Sequence, residues 1–238
     1  MGVFDGHDGD QCATFLQHEL HGALARHDAF HADMRRAVAA AFRQTDDAVC
    51  ENLRDADDAS GSTAVVALFD GRSRTLVVAH AGDSRAVLSV SGGCALPLTQ
   101  DHRLTLPDEL ARIRSAGGLV VNHRLNGTLA VSRSFGDVRH KAQPGRAPTV
   151  TATPEVTIRA LDAEDEFVVL GCDGLWDALS MQTVTNFVRG ELNAHRDLQR
   201  AAKAVTEEAL RRGSVDNVSV IIVALNQGAD DDEYEAPG

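Results

Sequence analysis

Three aspartates of this 238-residue chain stand beside apolar, strand-like runs, each followed by a small or flexible residue. They are found in the pairs Asp5-Gly6, Asp173-Gly174 and Asp216-Asn217. Taken singly, each pair is an ordinary turn former. Taken together, their carboxylates could converge from neighbouring strand ends, and such oxygens are the ligands that Mg²⁺ and Mn²⁺ prefer. A glycine beside an aspartate would also let its carbonyl approach a metal closely. Both interpretations stay open on these residues alone.

A histidine, His7, lies two residues after Asp5. With an unperturbed pKa of about 6.5, an imidazole at this place could protonate a leaving group near neutral pH. The chain has 10 histidines, however, and a hydrogen-bonded surface histidine would satisfy the same spacing. The spacing therefore does not distinguish a catalytic from a structural role.

Length and composition limit the class of protein. A chain of 238 residues, 43% of them hydrophobic, is long enough for one large globular domain. Aromatic residues make up 4% and the net charge is −12, so the chain lacks the stacking platforms and basic patches of nucleic-acid-binding proteins. We expect a protein that does not bind nucleic acid.

The cysteines and the apolar stretches indicate a compartment. The four cysteines are far apart with no CxxC spacing, which favours structural thiols in a reducing compartment over a zinc site or disulfides. No apolar stretch approaches the roughly 20 residues that span a bilayer, and the N-terminus lacks a basic-then-apolar signal pattern. We therefore expect a soluble monomer of the cytoplasm or nucleus that does not bind membranes.

Hydrophobic periodicity predicts the elements that must position these side chains. Helices are predicted over residues 10–26, 33–53, from Pro107 to the Gly117-Gly118 stop, 181–189 and 197–212, with Asp197 as an N-cap. Strands are predicted over residues 63–69, 75–80, 85–90, 155–160, 166–172 and 217–225, the first two joined by a hairpin. Strands and helices come in blocks, which favours an α+β fold over a doubly wound parallel sheet.

Two segments are predicted to lie outside this framework. Residues 133–154 are basic and contain Pro and Gly, which indicates a surface loop with little packing of its own. That loop could be a solvated linker or a substrate-facing flap. Residues 228–238 form an acidic tail that we expect to be disordered.

Longer motifs connect the three aspartates and the histidine. They are VFDGHDG (3–9), SGSTA (60–64), AGDSRA (81–86), NGTLAVSRSFGD (126–137), CDGLWD (172–177) and SVDNVS (214–219). In this order they strongly resemble the metal-dependent serine/threonine protein phosphatases of the PPM, or type 2C, family, from residue 2 to about residue 225. Six motifs in the same order make this resemblance very specific.

The resemblance implies a fold and a metal site. The fold is a β-sandwich of two mainly antiparallel sheets with helices on both outer faces (αββα), here over a domain of residues 1–227. Two Mn²⁺ or Mg²⁺ ions would lie at one end of the sandwich. By motif match, Asp5 would bridge the ions, Gly6 would offer its carbonyl, Asp173 and Asp216 would hold the second ion, and Asp83 would help to hold a weaker third ion.

The resemblance also implies a reaction. A metal-activated water would hydrolyse phosphoserine or phosphothreonine in phosphorylated protein substrates, with no phosphoenzyme, and His7 would be the general acid. A two-metal site suits this reaction because it lowers the pKa of a bridging water and stabilises charge on the phosphoryl oxygens.

The sequence departs from the family pattern at its start. The family has an upstream strand with a phosphate-binding Arg and an acidic metal-binding pair, and no residue here matches them. We therefore expect absent N-terminal strands, an unpaired sheet edge and a weakened site, with Arg133 as a possible substitute for the phosphate ligand. The alternative hypothesis is a catalytically weak, phosphatase-like binding or regulatory module. Smaller departures are Asp8, where the family has glycine, and Leu104, where it commonly has proline.

Overall fold

The computed structural model describes residues 1–141, 145 and 147–225. The predicted acidic tail at 228–238 lies outside the described residues. The described helices are α1 (Gln11–Ala25), α2 (Met34–Asp55), α3 (Pro107–Ser115), α4 (Asp173–Trp176), α5 (Met181–His195) and α6 (Leu198–Arg211). The described strands are β1 (Gly2–Val3), β2 (Gly6–His7), β3 (Gly61–Ser62), β4 (Ala64–Asp70), β5 (Thr75–Ala81), β6 (Arg85–Val90), β7 (Cys94–Pro97), β8 (Val120–Val121), β9 (Arg124–Leu125), β10 (Phe135–Gly136), β11 (Glu155–Ala160), β12 (Phe167–Gly171) and β13 (Val220–Ala224).

The first large sheet has the order β1-β4-β5-β11, and all its pairs are antiparallel. Side chains alternate along β4 because successive residues of a strand point to opposite faces. Ala64 and Val66 pack among α1 and α2, whereas Val65 and Ala67 face the second sheet. The apolar character of this strand on both faces thus follows from its burial between a helical layer and a sheet.

The second large sheet has the order β13-β12-β6-β7, again antiparallel. Its central strand β12 divides in the same way. Val168 and Leu170 face the first sheet, and Phe167 and Val169 pack against α5 and α6. The two sheets therefore lie face to face between two helical pairs, which confirms the predicted α+β sandwich.

The predicted elements agree with the structure apart from a few bounds. The helix predicted over 181–189 continues to His195, and Asp197 caps α6 by accepting a hydrogen bond from the Arg200 backbone N–H at 3.0 Å. The β4–β5 hairpin turns where Asp70 accepts the backbone N–H of Arg72 at 2.9 Å. The short end strands and the short helix α4 carry too few residues for a periodic signal.

The prediction of a loosely packed loop over residues 133–154 was wrong. This segment contains β10 and a 3₁₀ turn at Val138–His140, and Phe135 is completely buried. The Phe135 ring packs on Phe42 of α2 with a centroid separation of 5.1 Å. One aromatic ring secures the segment to α2. The basic and Pro-containing composition of the segment did not reveal this, because a single buried ring hardly changes the composition.

A small third sheet, β10-β3-β2, contains part of the VFDGHDG motif around His7. Within the described residues, the outer strands are β1 and β11 in the first large sheet and β13 and β7 in the second. Asp8, which follows β2, has a left-handed φ of 55°. That conformation favours glycine, the residue that the family pattern has at this place.

The remaining general expectations concern cysteines and membranes. Cys12, Cys50 and Cys172 are buried, Cys94 is exposed, and all four thiols are free. None of the helices in the described ranges is both long enough and apolar enough to cross a membrane. The three buried, unpaired thiols agree with the prediction of structural cysteines, whereas the exposed Cys94 does not have that role.

The Phe42–Phe135 contact provides a test of the packing. Phe42→Ala should lower the free energy of unfolding by about 3–5 kcal/mol, because it removes a buried ring and leaves a cavity. Phe69→Ala is the matched control: Phe69 is 45% exposed, so its loss should cost about 1 kcal/mol or less. Urea denaturation measures both values, and equal losses would contradict this account of α2 and β10.

Candidate metal centre

Four aspartates come from strand ends at the same end of the sandwich. Asp5 lies between β1 and β2, and Asp83 lies in the turn between β5 and β6. Asp173 is the first residue of α4, directly after β12, and Asp216 precedes β13. Both large sheets thus contribute carboxylates, which is the convergence that the sequence predicted.

The pKa values show that these carboxylates act on one another. Burial first, and then Asp173 and the charges of Asp216 and Asp83, raise the pKa of Asp5 to about 7. Burial and then the charge of Asp173 raise the pKa of Asp83 to about 6. The pKa of Asp173 is raised as well, first by burial and also by the charges of Asp216 and Asp177. The centre therefore concentrates negative charge that its protein neighbours do not neutralise.

One oxygen of this group fits a cation directly. Oδ1 of Asp173 is buried and has no hydrogen-bond partner among the described residues. A buried carboxylate oxygen without a donor is costly unless a cation takes the donor's place. Asp5 and Asp173, with Asp83 and Asp216 acting on them, are thus the residues that would hold hard divalent ions. These individual ligand assignments stay predictions.

The backbone segments that carry the aspartates pack closely against their neighbours. A Cβ at Gly174 would overlap the backbone oxygen of Asn217, so glycine lets the Asp173 and Asp216 segments pass in contact. Gly82 has φ 116°, and a Cβ there would lie 2.6 Å from Thr63. The predicted carbonyl ligand Gly6 lies in β2, paired with Ser62 of β3, and its role as a ligand also stays a prediction.

Sequence reasoning missed Cys172 as a neighbour of this centre. Its ligand atom and those of Asp5 and Asp173 all lie within 4.8 Å of one another. The Cys172 thiol donates to the Asn217 carbonyl and accepts the Ser219 backbone N–H, both at 3.2 Å. The thiol is therefore already hydrogen-bonded to the backbone, and carboxylate oxygens remain the better ligands for a hard cation. Its position directly before Asp173 was the signal in the sequence.

His7 lies beside the aspartates and contacts a residue to which the sequence gave no role. Its Nε2 is 2.9 Å from Oδ2 of Asp137. Burial, the largest influence, lowers the pKa of His7, but the hydrogen bond and charge of Asp137, with Asp8 and Asp5, outweigh it and raise the pKa. The imidazole is thus set among carboxylates at the mouth of the centre.

The predicted substrate ligand Arg133 is paired with protein groups. Its Nη2 and Nε contact Oε1 of Glu109 at 2.6 and 3.1 Å, and its Nη1 donates to the Thr153 carbonyl at 3.0 Å. Glu109 also binds Arg112 at 2.8 Å. The Arg133 guanidinium is therefore occupied by Glu109 of α3 and by Thr153, and its role as a phosphate ligand stays a prediction.

A second cluster of metal-ligand type consists of His80, His102 and Glu155. Nε2 of His80 donates to the Gln100 carbonyl at 2.7 Å, and Nδ1 of His102 accepts the Gly82 N–H at 3.2 Å. Because Nδ1 of His102 accepts this N–H, the hydrogen of the neutral ring is on Nε2, which lies 3.5 Å from Oε2 of Glu155. A metal would need a lone pair on that same nitrogen. The stacked histidines therefore suit a structural pair better than a metal site.

Solved structures share this fold. A serine-threonine phosphatase 2C from Toxoplasma gondii superimposes with a TM-score of 0.82 at 23% identity, over 94% of this chain and 83% of that chain. A sex determining protein from C. elegans gives a TM-score of 0.83 at 26% identity, over 94% of this chain and 56% of that chain. The sandwich and its flanking helices are thus the architecture of a phosphatase fold.

Sequence comparison gives the family. The protein phosphatase 2C family model matches residues 1–218. Protein phosphatase 2C homolog 2 of Aspergillus flavus is 39% identical over 254 residues, covering 100% of this chain and 58% of that protein. Probable protein phosphatase 2C 57 of Oryza sativa subsp. japonica is 41% identical over 229 residues, covering 94% and 61%. The chain belongs to the protein phosphatase 2C family and spans about three fifths of the length of these relatives.

The histidine pair predicts how stability depends on pH. Burial and then the neighbouring His80 lower the pKa of His102 from 6.5 to about 3. Between these pH values the unfolded chain binds a proton at His102 and the folded chain does not. The stability that neutral His102 contributes is therefore lost as pH falls from about 6.5 toward 3. His102→Gln should reduce the pH slope of the unfolding free energy by about 1.4 kcal/mol per pH unit between pH ~4 and ~6.

The control for this measurement is His18→Gln, because His18 is exposed on α1. The pH slope of His18→Gln should equal that of the wild-type protein, because this variant keeps His102 and its surroundings unchanged. Urea unfolding at a series of pH values measures the slopes. An unchanged slope in His102→Gln would contradict a neutral, buried His102.

Proposed function

We propose that this chain hydrolyses phosphoserine and phosphothreonine in proteins, in a reaction that depends on Mn²⁺ or Mg²⁺. The observation that carries the proposal is the Asp5–Asp173 pair, with its unpartnered Asp173 Oδ1, beside the Asp137-bound His7. When bound, two such ions lower the pKa of a coordinated water and stabilise charge on the phosphoryl oxygens. Asp5, Asp173 and Asp216 would hold them, with Asp83 available to a weaker third.

His7 supports the departure of the alcohol. As the phosphorus–oxygen bond to serine breaks, its electron pair stays on the seryl oxygen, and a proton from the imidazole neutralises that oxygen. The oxygen of a water molecule forms the new bond to phosphorus; one of its protons stays on the phosphate product, and the other restores the proton that His7 gave up. A serine alkoxide is a poor leaving group, so a positioned acid accelerates this step by about 10²–10⁴-fold.

Charge explains why substrate binding would depend on the ions. The four aspartates would repel a phosphate dianion, and the chain carries a net charge of −12. Arg103, which acts on Asp83, is held by Asp101 at 2.9 Å and by Asp177 at 2.8 Å. With Arg103 and Arg133 both paired, the phosphate would be held chiefly through the cations.

The same pairing supports the second candidate, a phosphatase-like module that binds phosphoproteins but turns them over weakly. Arg133 is paired with Glu109, so its guanidinium is not free to make the bidentate phosphate contact for which it was a candidate. The two candidates differ in turnover, not in metal binding. One experiment therefore separates them.

The test is hydrolysis of a phosphoserine peptide with Mn²⁺ or with a chelator. We expect Mn²⁺-dependent phosphate release that Asp173→Asn lowers by at least about 100-fold, since losing even an outer-shell partner of a metal can cost that much. Asp47→Asn, the same change at an exposed position on α2, should keep the wild-type rate.

Equal rates in wild type and Asp173→Asn, or rates indifferent to the chelator, would contradict the enzyme proposal. Calorimetric titration with Mn²⁺ accompanies the assay. Metal binding without measurable turnover would instead favour the binding module.

A further inference from the structure

The contact between His7 and Asp137 determines which ring nitrogen of His7 bears the hydrogen and which is available to another partner. Oδ2 of Asp137 accepts two contacts: the hydroxyl of Ser134 donates to it, and Nε2 of His7 lies 2.9 Å away. A carboxylate is an acceptor, so the hydrogen in the second contact belongs to Nε2. Nδ1 has no hydrogen bond to the described residues and is left for another partner.

The backbone around this contact is shaped to allow it. A Cβ at Gly61 would overlap both Asp137 Oδ2 and His7 Nε2, so the two side chains meet across a glycine of β3. Gly136 and Asp137 have left-handed φ values of 67° and 48°. A non-glycine residue in this region carries a conformational cost and persists when its surroundings hold it there. The turn therefore aims the Asp137 carboxylate at His7 at some cost in backbone energy.

A buried ion pair supports the turn from behind. Lys141 Nζ contacts Asp46 Oδ2 at 2.9 Å and donates to the Ser134 carbonyl at 2.7 Å. Asp46 Oδ1 accepts the Gly136 backbone N–H at 3.0 Å. Asp46 lies on α2, so the orientation of Asp137 is tied to the helical layer and not to the loop alone.

We propose that Asp137 is a positioning residue for the phosphatase reaction, holding the His7 ring with Nε2–H inward so that Nδ1 is the nitrogen that serves the leaving group. The inference rests on the proposed function for its catalytic part. In the step, His7 acts as the imidazolium, protonated on both ring nitrogens: the phosphorus–oxygen bond breaks with its electrons on the seryl oxygen, which takes the proton from Nδ1 and leaves the neutral Nε2–H ring, and a proton of the attacking water restores the imidazolium. Asp137 accepts Nε2–H throughout and does not touch the substrate.

The leaving group separates positioning from a general loss of structure. A serine alkoxide needs the proton, whereas nitrophenolate leaves without one. Asp137→Asn keeps the size of the side chain but adds an amide that can donate to Nε2, so the ring is no longer held to one form. We expect kcat for a phosphoserine peptide to fall about 10- to 100-fold, and kcat for p-nitrophenyl phosphate to change less than about threefold.

Two controls accompany this comparison. Asp47→Asn is the same change at an exposed position on α2, outside the Asp46–Lys141 network, and should keep the ratio of the two rates. In a His7→Ala background, Asp137→Asn should cause no further loss with the peptide. Equal losses with both substrates in Asp137→Asn, or additive losses with His7→Ala, would overturn the inference.

A measurement on the wild-type protein makes the result independent of the folding of any variant and of turnover. Nitrogen-15 NMR of the neutral His7 ring should show the Nε2–H form. The Nδ1–H form would overturn the inference even in an active enzyme. Failure of the proposed function would show itself differently, as absent Mn²⁺-dependent turnover of both substrates by the wild-type chain.

Discussion

The constraint on which the rest of this structure depends is the mutual repulsion of four carboxylates held at one end of the sandwich. Burial first, and then neighbouring charges, raise the pKa of Asp5 to about 7 and that of Asp83 to about 6, so ionising either carboxyl in the folded chain is unfavourable. Such a cluster survives because the backbone segments that carry it are fixed by packing elsewhere. The two sheets, each alternating its side chains between a helical layer and the other sheet, supply that packing.

The neighbourhood of His7 follows the same principle on a smaller scale. Left-handed backbone at Asp137, a glycine at position 61 and a buried Lys141–Asp46 pair bring one carboxylate to one imidazole nitrogen. None of these features adds to the core. Their common effect is orientation, which is what a proton donor beside a metal centre requires. The strained backbone at Asp137 thus lowers stability but fixes the geometry of the His7 contact.

The sequence predicted most of this arrangement and missed the parts that depend on distant partners. The order of the helical and strand-like blocks indicated an α+β fold, the resemblance to the family implied the sandwich, and the aspartates at strand ends indicated the carboxylates at its end. The segment after residue 132 was misjudged because Phe135 meets its partner Phe42 only in three dimensions. Arg133 was assigned to substrate for the same reason: nothing local shows that Glu109 already binds it. Asp137 stood within a recognised motif, but its contact with His7 spans most of the chain.

Crystals grown with Mn²⁺ and measured at its absorption edge test the central claim most directly, because anomalous scattering locates the ions without reference to activity. The account predicts two peaks at the sandwich end, within ligand distance of the carboxylate oxygens of Asp5, Asp173 and Asp216. Peaks at His80 and His102, or none at these aspartates at saturating Mn²⁺, would contradict it.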